Sequence, residues 1–396
     1  MQYRNLIILI LCQLISATGS FVMVTLGGII GTSLAPNPAW ATLPVSMMVI
    51  AVAATTVPAT LLMRRIGRGK GFALASLSSI VALLVAIQAL ETWSFVLFIV
   101  AAMLFGINLA FTQQYRYAAA ESVTVRYVPR AISFVLVGSI GGAFLGEFLI
   151  VRADAWRGGA PYSGVLTAVA VLYAVQFLLF LWLRSVTASQ TDAIKPAPRP
   201  LRAIVRQPVY LVAVFGGTAG YGLMTLIMTA TPISMHVHDG FEIEQMAAVI
   251  RAHVLGMYVP SLVSGFLIER FGVTRLMFIG ALLLLVTSIV GLQGQTLLHY
   301  WWALVMLGVG WNFLYVGGTT MLTYTYSLEE RFRAQAVNEF LVFGISATAS
   351  LLAGTVLHYF GWFRLMLIPL PVLIAIALAL IAIRRDPLLL RPATVT

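Results

Sequence analysis

Two spaced doublets hold most of the chemistry this chain could perform: Met224 with Met228, and His253 with Met257. Residues four apart on a helix face one way, about one turn from each other. Thioether sulfur is a soft, uncharged ligand that favours Cu(I) among the biological metals. Neither doublet contains a carboxylate, which argues against calcium, magnesium or manganese. The absence of a nearby cysteine excludes a zinc-thiolate site. Four neutral donors would make a weak, exchangeable site of the kind a carrier needs, with His253 as its pH-sensitive member. The plainer alternative is that methionine fills gaps between apolar helices and that a buried histidine bonds a neighbouring carbonyl. A histidine inside a membrane span is costly, however, and points to function.

The elements that must position these residues follow from composition. Of 396 residues, 60% are hydrophobic and 9% charged, with mean hydropathy +0.97, against about 25% charged in soluble domains. The chain is expected to be all-α and polytopic in a membrane. Segments of about 20 apolar residues suffice to span, and twelve are predicted: 6–31, 41–63, 72–90, 93–117, 130–151, 163–184, 208–235, 246–268, 274–292, 300–325, 335–357 and 362–384. The first could pass for a secretory signal, but it is of span length and lacks a small-x-small cleavage site, so it reads as a retained helix. Cys12, the single cysteine, lies within it and permits no intrachain disulfide. Met228 precedes Met235, and His253 follows Met246, by the same seven residues. At ~1.5 Å per residue the two doublets would therefore lie level.

The net charge of +11 is not a nucleic-acid signature, because the basic residues sit in short loops. With the N-terminus inside, 20 of the 24 Lys and Arg fall on cytoplasmic segments; only Arg152, Arg157, Arg251 and Arg364 fall at outer ends. Both termini are thus expected to be cytoplasmic. A Pro-rich, basic stretch over 185–207 reads as a linker between an N-terminal bundle, 1–184, and a C-terminal bundle, 208–396. The halves echo each other: Arg64-Arg65-Ile66-Gly67 matches Glu269-Arg270-Phe271-Gly272, and Arg130-Ala131 matches Arg333-Ala334, which suggests duplication.

The loop residues Arg65, Gly67, Arg68 and Lys70, with Gly265, Glu269, Arg270 and Gly272 in the second half, resemble the loop motif of the major facilitator superfamily. Arg64 stands where that family usually has Asp. The resemblance implies a fold of two pseudo-symmetric six-helix bundles, and roles for Arg65 and Arg270 in latching the outward-open state; the missing first-half acid weakens that latch here. The two doublets, and the run Tyr115-Arg116-Tyr117-Ala118-Ala119-Ala120, are similar to those of the CcoA-like bacterial copper importers within that superfamily. That likeness implies copper, as Cu(I), carried as substrate rather than held as a prosthetic group. It also implies import across the bacterial inner membrane to supply assembly of a cbb3-type cytochrome oxidase. A cytoplasmic copper chaperone or a copper-exporting ATPase would be the partner, and the transporter a monomer in lipid.

Other polar residues raise further expectations. Met235, His236 and His238 in the loop after the seventh span could collect metal, or form an ordinary polar loop. Glu147 could carry a coupling proton or pair with Arg152, while Arg116 and Glu121 could gate the cytoplasmic side or simply pair between helices. Gln13, Asn108, Gln176 and Asn312 are candidates to line a central cavity, and Gly216, Gly217, Gly220 and Gly222 could loosen the seventh span. Riboflavin transporters share the Tyr-Arg run. A flavin or other small organic carrier would draw on Tyr221, Trp311, Tyr315 and Asn312 for stacking and hydrogen bonds. No nucleophile–base pair, phosphate loop or metallohydrolase motif suggests an enzyme.

Overall fold

The computed structural model describes residues 3–122, 128–156, 159–183, 199–327 and 330–390. Helices dominate because the chain is apolar over long stretches, and in hydrocarbon a helix satisfies its own backbone. In chain order the spans are α1 Tyr3–Leu34, α2 Leu43–Ile66, α3 Arg68–Glu91, α4 Phe95–Thr112, α5 Val128–Arg152, α6 Ser163–Leu181 and α7 Pro208–Pro232. The second half continues with α8, broken into Ile243–Tyr258 and Ser261–Phe271, then α9 Val273–Gln293 and α10 Leu297–Thr323. A last long helix, Arg331–Leu367, is kinked at Gly361 (φ 71°). The part before the kink is α11; the part after it, continued by Pro369–Ile383, is α12.

Among the described residues nine helices are long and apolar enough to cross a membrane, and the bent α8 pair makes ten. The split at Gly361 and the Val128–Arg152 helix supply the other two of the predicted twelve. The fold is all-α, as predicted, with breaks that the predicted spans lack. Pro260 interrupts α8 and bends it by 40°, because proline removes an amide donor and clashes with the preceding turn. The predicted fourth span stops at Thr112, and a short helix, Tyr115–Glu121, follows.

The halves are packed alike. α1 lies on α5 as α7 lies on α11; α3 pairs with α4 as α9 does with α10; α2 rests on α4 as α8 does on α10. Between the halves α2 meets α11, and α5 meets α8. The echoed loop glycines also match: Gly67 has φ 87° and ψ 156°, Gly272 φ 85° and ψ 149°. Both sit where a side chain would strain the backbone, so the repeat has a conformational reason. At the end away from these loops the halves are pinned by Ser46 Oγ to Ser350 Oγ at 2.9 Å and by the Glu147–Arg251 ion pair.

Three of the four glycines of α7, Gly216, Gly220 and Gly222, sit at close contacts, the packing alternative to a loosened helix. The helix is regular from Pro208 to Pro232. Gly220 and Gly222 instead admit Leu314 and Ile345, which a Cβ would meet at 3.0 and 2.9 Å. Irregularity comes one turn later, in a π-helical turn over Ile233–His238.

Of the linker, residues 185–198 lie outside those described, and its end is anchored to the second half. Arg199 donates from Nε and Nη2 to the two carboxylate oxygens of Glu330 at 2.8 and 2.7 Å, and from its backbone N–H at 2.8 Å. Arg199 and the Ser327 turn enclose the carboxylate closely. First the guanidinium bonds and then the Ser327 N–H hold the Glu330 carboxyl at about 2, below its ordinary 4.5. A depressed carboxyl contributes stability above its unfolded pKa and loses it only as pH falls through the folded value. Hydrogen exchange at the Arg199 amide should therefore stay slow from pH 7 down to pH 4. Glu330→Gln, which removes the charge assistance, should speed it roughly tenfold or more at any of these pH values.

Candidate functional site

A cavity of about 250 Å³ lies between the halves, walled by α1, α2, α4, α5, α7, α8 and α11. Met224 and Met228 reach it from α7, and His253 and Met257 from α8. All four are under 10% exposed. The two doublets thus line one chamber, although α7 and α8 are not packed on each other and each lies instead against α10.

His253 has a defined state. Its Nδ1 lies 2.8 Å from the Leu304 carbonyl of α10. A carbonyl only accepts, so Nδ1 carries the proton and Nε2 presents a lone pair. Nε2 is buried and meets no hydrogen-bond partner among the described residues. The plainer sequence reading, a bond to a neighbouring carbonyl, accounts for one nitrogen and leaves the other without a hydrogen-bond partner among the described residues. The close approach of α8 to α10 makes this possible. A Cβ at Gly308 would lie 2.5 Å from the His253 carbonyl oxygen, and one at Gly256 2.9 Å from that of Val305.

The remaining wall is neutral. Gln13, Ser16, Ser20, Thr112, Gln113 and Ser139 face the chamber from the first half; Tyr221, Thr225, Tyr258 and Phe343 face it from the second. Among the described residues no carboxylate, Lys or Arg lines it.

Several expected cavity residues lie elsewhere. Gln176 is tied to Ser16, Ser76 and Tyr115 inside the first bundle. Asn312 is spent on the Met257 carbonyl, Ser261 and Ser264. Asn108 is fully buried in α4, away from the chamber wall. Trp311 and Tyr315 stack on each other, planes 10° apart, behind Tyr221, so of the aromatic trio Tyr221 alone faces the chamber.

The loop after α7 does not gather its three candidates. Met235 is completely buried, turned inward by the π-helical turn. His236 uses Nδ1 on the Phe241 carbonyl at 2.7 Å, and His238 is exposed. Met235 therefore belongs to the core, while His236 and His238 end the π-helical turn on the outer side of it.

Glu147 pairs not with Arg152 but with Arg251 of α8, across the two halves. Arg251 also lies over the Phe144 ring at 5.0 Å. Arg116 lies within electrostatic reach of Tyr258 and of Glu339 in α11. Glu121 closes the short helix, and its side chain lies outside those described. Arg65 and Arg270 are both exposed, and Arg270 sits over the neighbouring Phe271 ring at 5.6 Å. Sequence reasoning passed over Glu339, although it falls within the predicted eleventh span. It also passed over Ser20, Gln113 and Thr225, whose orientation depends on helix rotation.

The profile of the Major Facilitator Superfamily matches residues 9–257 and 224–394. The chain is 35% identical over 385 residues to riboflavin transporter RfnT of Brucella anthropi, covering 97% of this chain and 96% of that one. It is 27% identical over 384 residues to the uncharacterized MFS-type transporter YdeG of Bacillus subtilis, covering 92% and 88%. Among solved structures it is similar to the nucleoside transporter NupG in a point-mutant form (TM-score 0.74, 15% identity, 96% of this chain and 99% of that one). A bacterial homolog of the lysosomal transporter Spinster, inward-facing and unoccupied, is also similar (TM-score 0.73, 14% identity, 97% and 98%). With both halves matched by the profile and the whole length shared with a relative above 30% identity, the chain belongs to the Major Facilitator Superfamily and is a membrane transporter.

Proposed function

We propose that this transporter carries a riboflavin-class solute, a neutral polar molecule with a planar ring, through the central cavity by alternating access. The chamber carries the reading. A neutral, largely apolar chamber of about 250 Å³ with hydrogen-bonding and aromatic side chains in its wall is far more room than a bare ion needs and approaches the few hundred Å³ typical of organic-ligand pockets. The full-length likeness to a riboflavin transporter supports the same choice. We place the chain in the bacterial cytoplasmic membrane with both termini inside, from the excess of Lys and Arg on one set of loops. The Ser46–Ser350 and Glu147–Arg251 pins then lie on the outer side.

One observation favours a second reading, copper import. Two thioethers from α7 share the chamber with a third and an unpartnered imidazole Nε2 from α8. These are soft donors suited to Cu(I), with the imidazole oriented from behind by a carbonyl, as metal-binding histidines usually are. On this reading copper is cargo, delivered for cbb3-type oxidase assembly as the sequence resemblance implies.

Met224→Leu/Met228→Leu separates the two. Leucine keeps volume and apolarity at modest cost but removes both sulfurs. Proteoliposomes would be loaded in parallel with labelled riboflavin and labelled copper. The flavin reading expects saturable riboflavin uptake that stays within roughly tenfold of wild type in the double variant. Copper accumulation by the wild type that collapses in the variant, with no riboflavin uptake in either, would reverse the assignment.

A further inference from the structure

Both halves give the chamber apolar wall, but among the described residues its two amide side chains and all its serines come from the first. The second-half arc is soft and aromatic: Met224, Met228, His253 and Met257 with Tyr221 and Phe343. The first-half arc sets amides and hydroxyls of α1, α4 and α5 among apolar side chains such as Phe21, Met48, Val52 and Leu109. Some of these are already committed. Thr112 donates to Ser16, and Ser16 to Gln176, so that pair is drawn into the network of the first bundle. Others remain available. Gln13 Nε2 donates to Ser139 Oγ at 2.9 Å, which leaves the Gln13 carbonyl oxygen to accept and the Ser139 hydroxyl hydrogen to donate. Ser20 and Gln113 face the chamber and make no side-chain hydrogen bond to a described residue. Polar groups walled into a chamber this apolar call for partners of their own.

We infer that Gln13, Ser20, Gln113 and Ser139 form a polyol subsite, which takes the hydroxylated chain of a solute whose ring lies against the methionine, histidine and aromatic arc. The inference rests on the riboflavin-class reading above and adds the orientation of the solute within the chamber. A ribityl chain offers several hydroxyls, each able to donate and accept, and amide and hydroxyl side chains do the same. Thioethers and ring edges suit the face and rim of a planar heterocycle. A soft metal ion would use the second arc and leave the first without a partner.

The test compares labelled riboflavin with labelled lumiflavin, which has the same ring system without the ribityl chain, in proteoliposomes. The wild type should prefer riboflavin by at least about thirtyfold in uptake efficiency, and Gln13→Leu or Ser20→Ala should cut that ratio by roughly tenfold, the usual penalty for a lost buried hydrogen bond. Ser20→Ala breaks no side-chain hydrogen bond among the described residues, so it keeps the test decisive should Gln13→Leu fail to insert. A wild type that takes up both flavins equally, or a preference that survives both substitutions, would overturn the subsite while leaving flavin transport intact. Uptake of neither flavin by folded, reconstituted wild type would remove the riboflavin-class reading and the subsite with it.

Discussion

Gly308→Ala should slow uptake at least tenfold and lower thermal stability, whereas Gly344→Ala should leave both close to wild type. The contrast lies in what a new methyl group meets. At Gly308 it would lie 2.5 Å from the His253 carbonyl oxygen, 2.9 Å from the Met257 nitrogen and 3.0 Å from the Gly256 carbonyl carbon. These are backbone atoms of α8, which cannot turn aside as a side chain can. The helices must separate instead, at an overpacking cost of about 1–3 kcal/mol. Separation lengthens the bond from His253 Nδ1 to the Leu304 carbonyl, now 2.8 Å, and frees the ring to rotate. The methyl at Gly344 meets nothing within 4 Å. Ala there gains about 1 kcal/mol of helix propensity. Initial uptake rates and melting in detergent, measured together, distinguish the two; equal behaviour of both variants would refute the packing argument.

Arg251→Ala should be more damaging than Glu147→Gln/Arg251→Gln, and it should open the pinned end. The Glu147 side chain is 13% exposed and that of Arg251 33%. Removing the arginine leaves a carboxylate unpaired in a poorly solvated place, whereas removing both charges leaves none. The Coulombic gain is partly screened at Arg251, so about 1–3 kcal/mol is a fair expectation for the single substitution. Because the pair bridges α5 and α8, most of that loss falls on the state in which the halves are closed there. A population shift of that size is roughly tenfold or more. The chain suits the measurement: Cys12, the single cysteine, is fully buried. Thr229 is buried on α7 with its Oγ1 3.3 Å from Ser350 Oγ at the pinned end; Thr229→Cys on a Cys12→Ser background, probed with a membrane-impermeant maleimide, should label several times faster when Arg251→Ala is added. Unchanged labelling would mean that the ion pair is not a latch.

Much of the architecture is legible in the sequence because hydrophobicity at span length is nearly sufficient in a membrane. Basic loops then order the spans, and the Gly67 and Gly272 turns reveal the repeat. That Met224, Met228, His253 and Met257 line one chamber is legible for a related reason: consecutive antiparallel helices of known rise place equal offsets at equal depth, even where both pack on a third helix, α10. Contacts set by rotation or by distant partners are not legible in this way. Gln13 and Asn312 are equally polar, yet one faces the chamber and the other is consumed between α8 and α10, since a modest rotation of the helix decides the outcome. The partner of Glu147 lies 104 positions away in the other half, where no local pattern points. Met235 reads as a loop residue because α7 passes into a π-helical turn, which carries the side chain back into the core.

The locked imidazole makes the chamber one-sided in what it welcomes. With its only proton pledged to Leu304, His253 can offer electrons but cannot lend a hydrogen. It will greet an imide N–H, a hydroxyl or an electrophilic ion, and will repel a carboxylate or phosphate at the same point. On the riboflavin-class reading proposed above, this would weight passage against acidic metabolites before size or shape is considered.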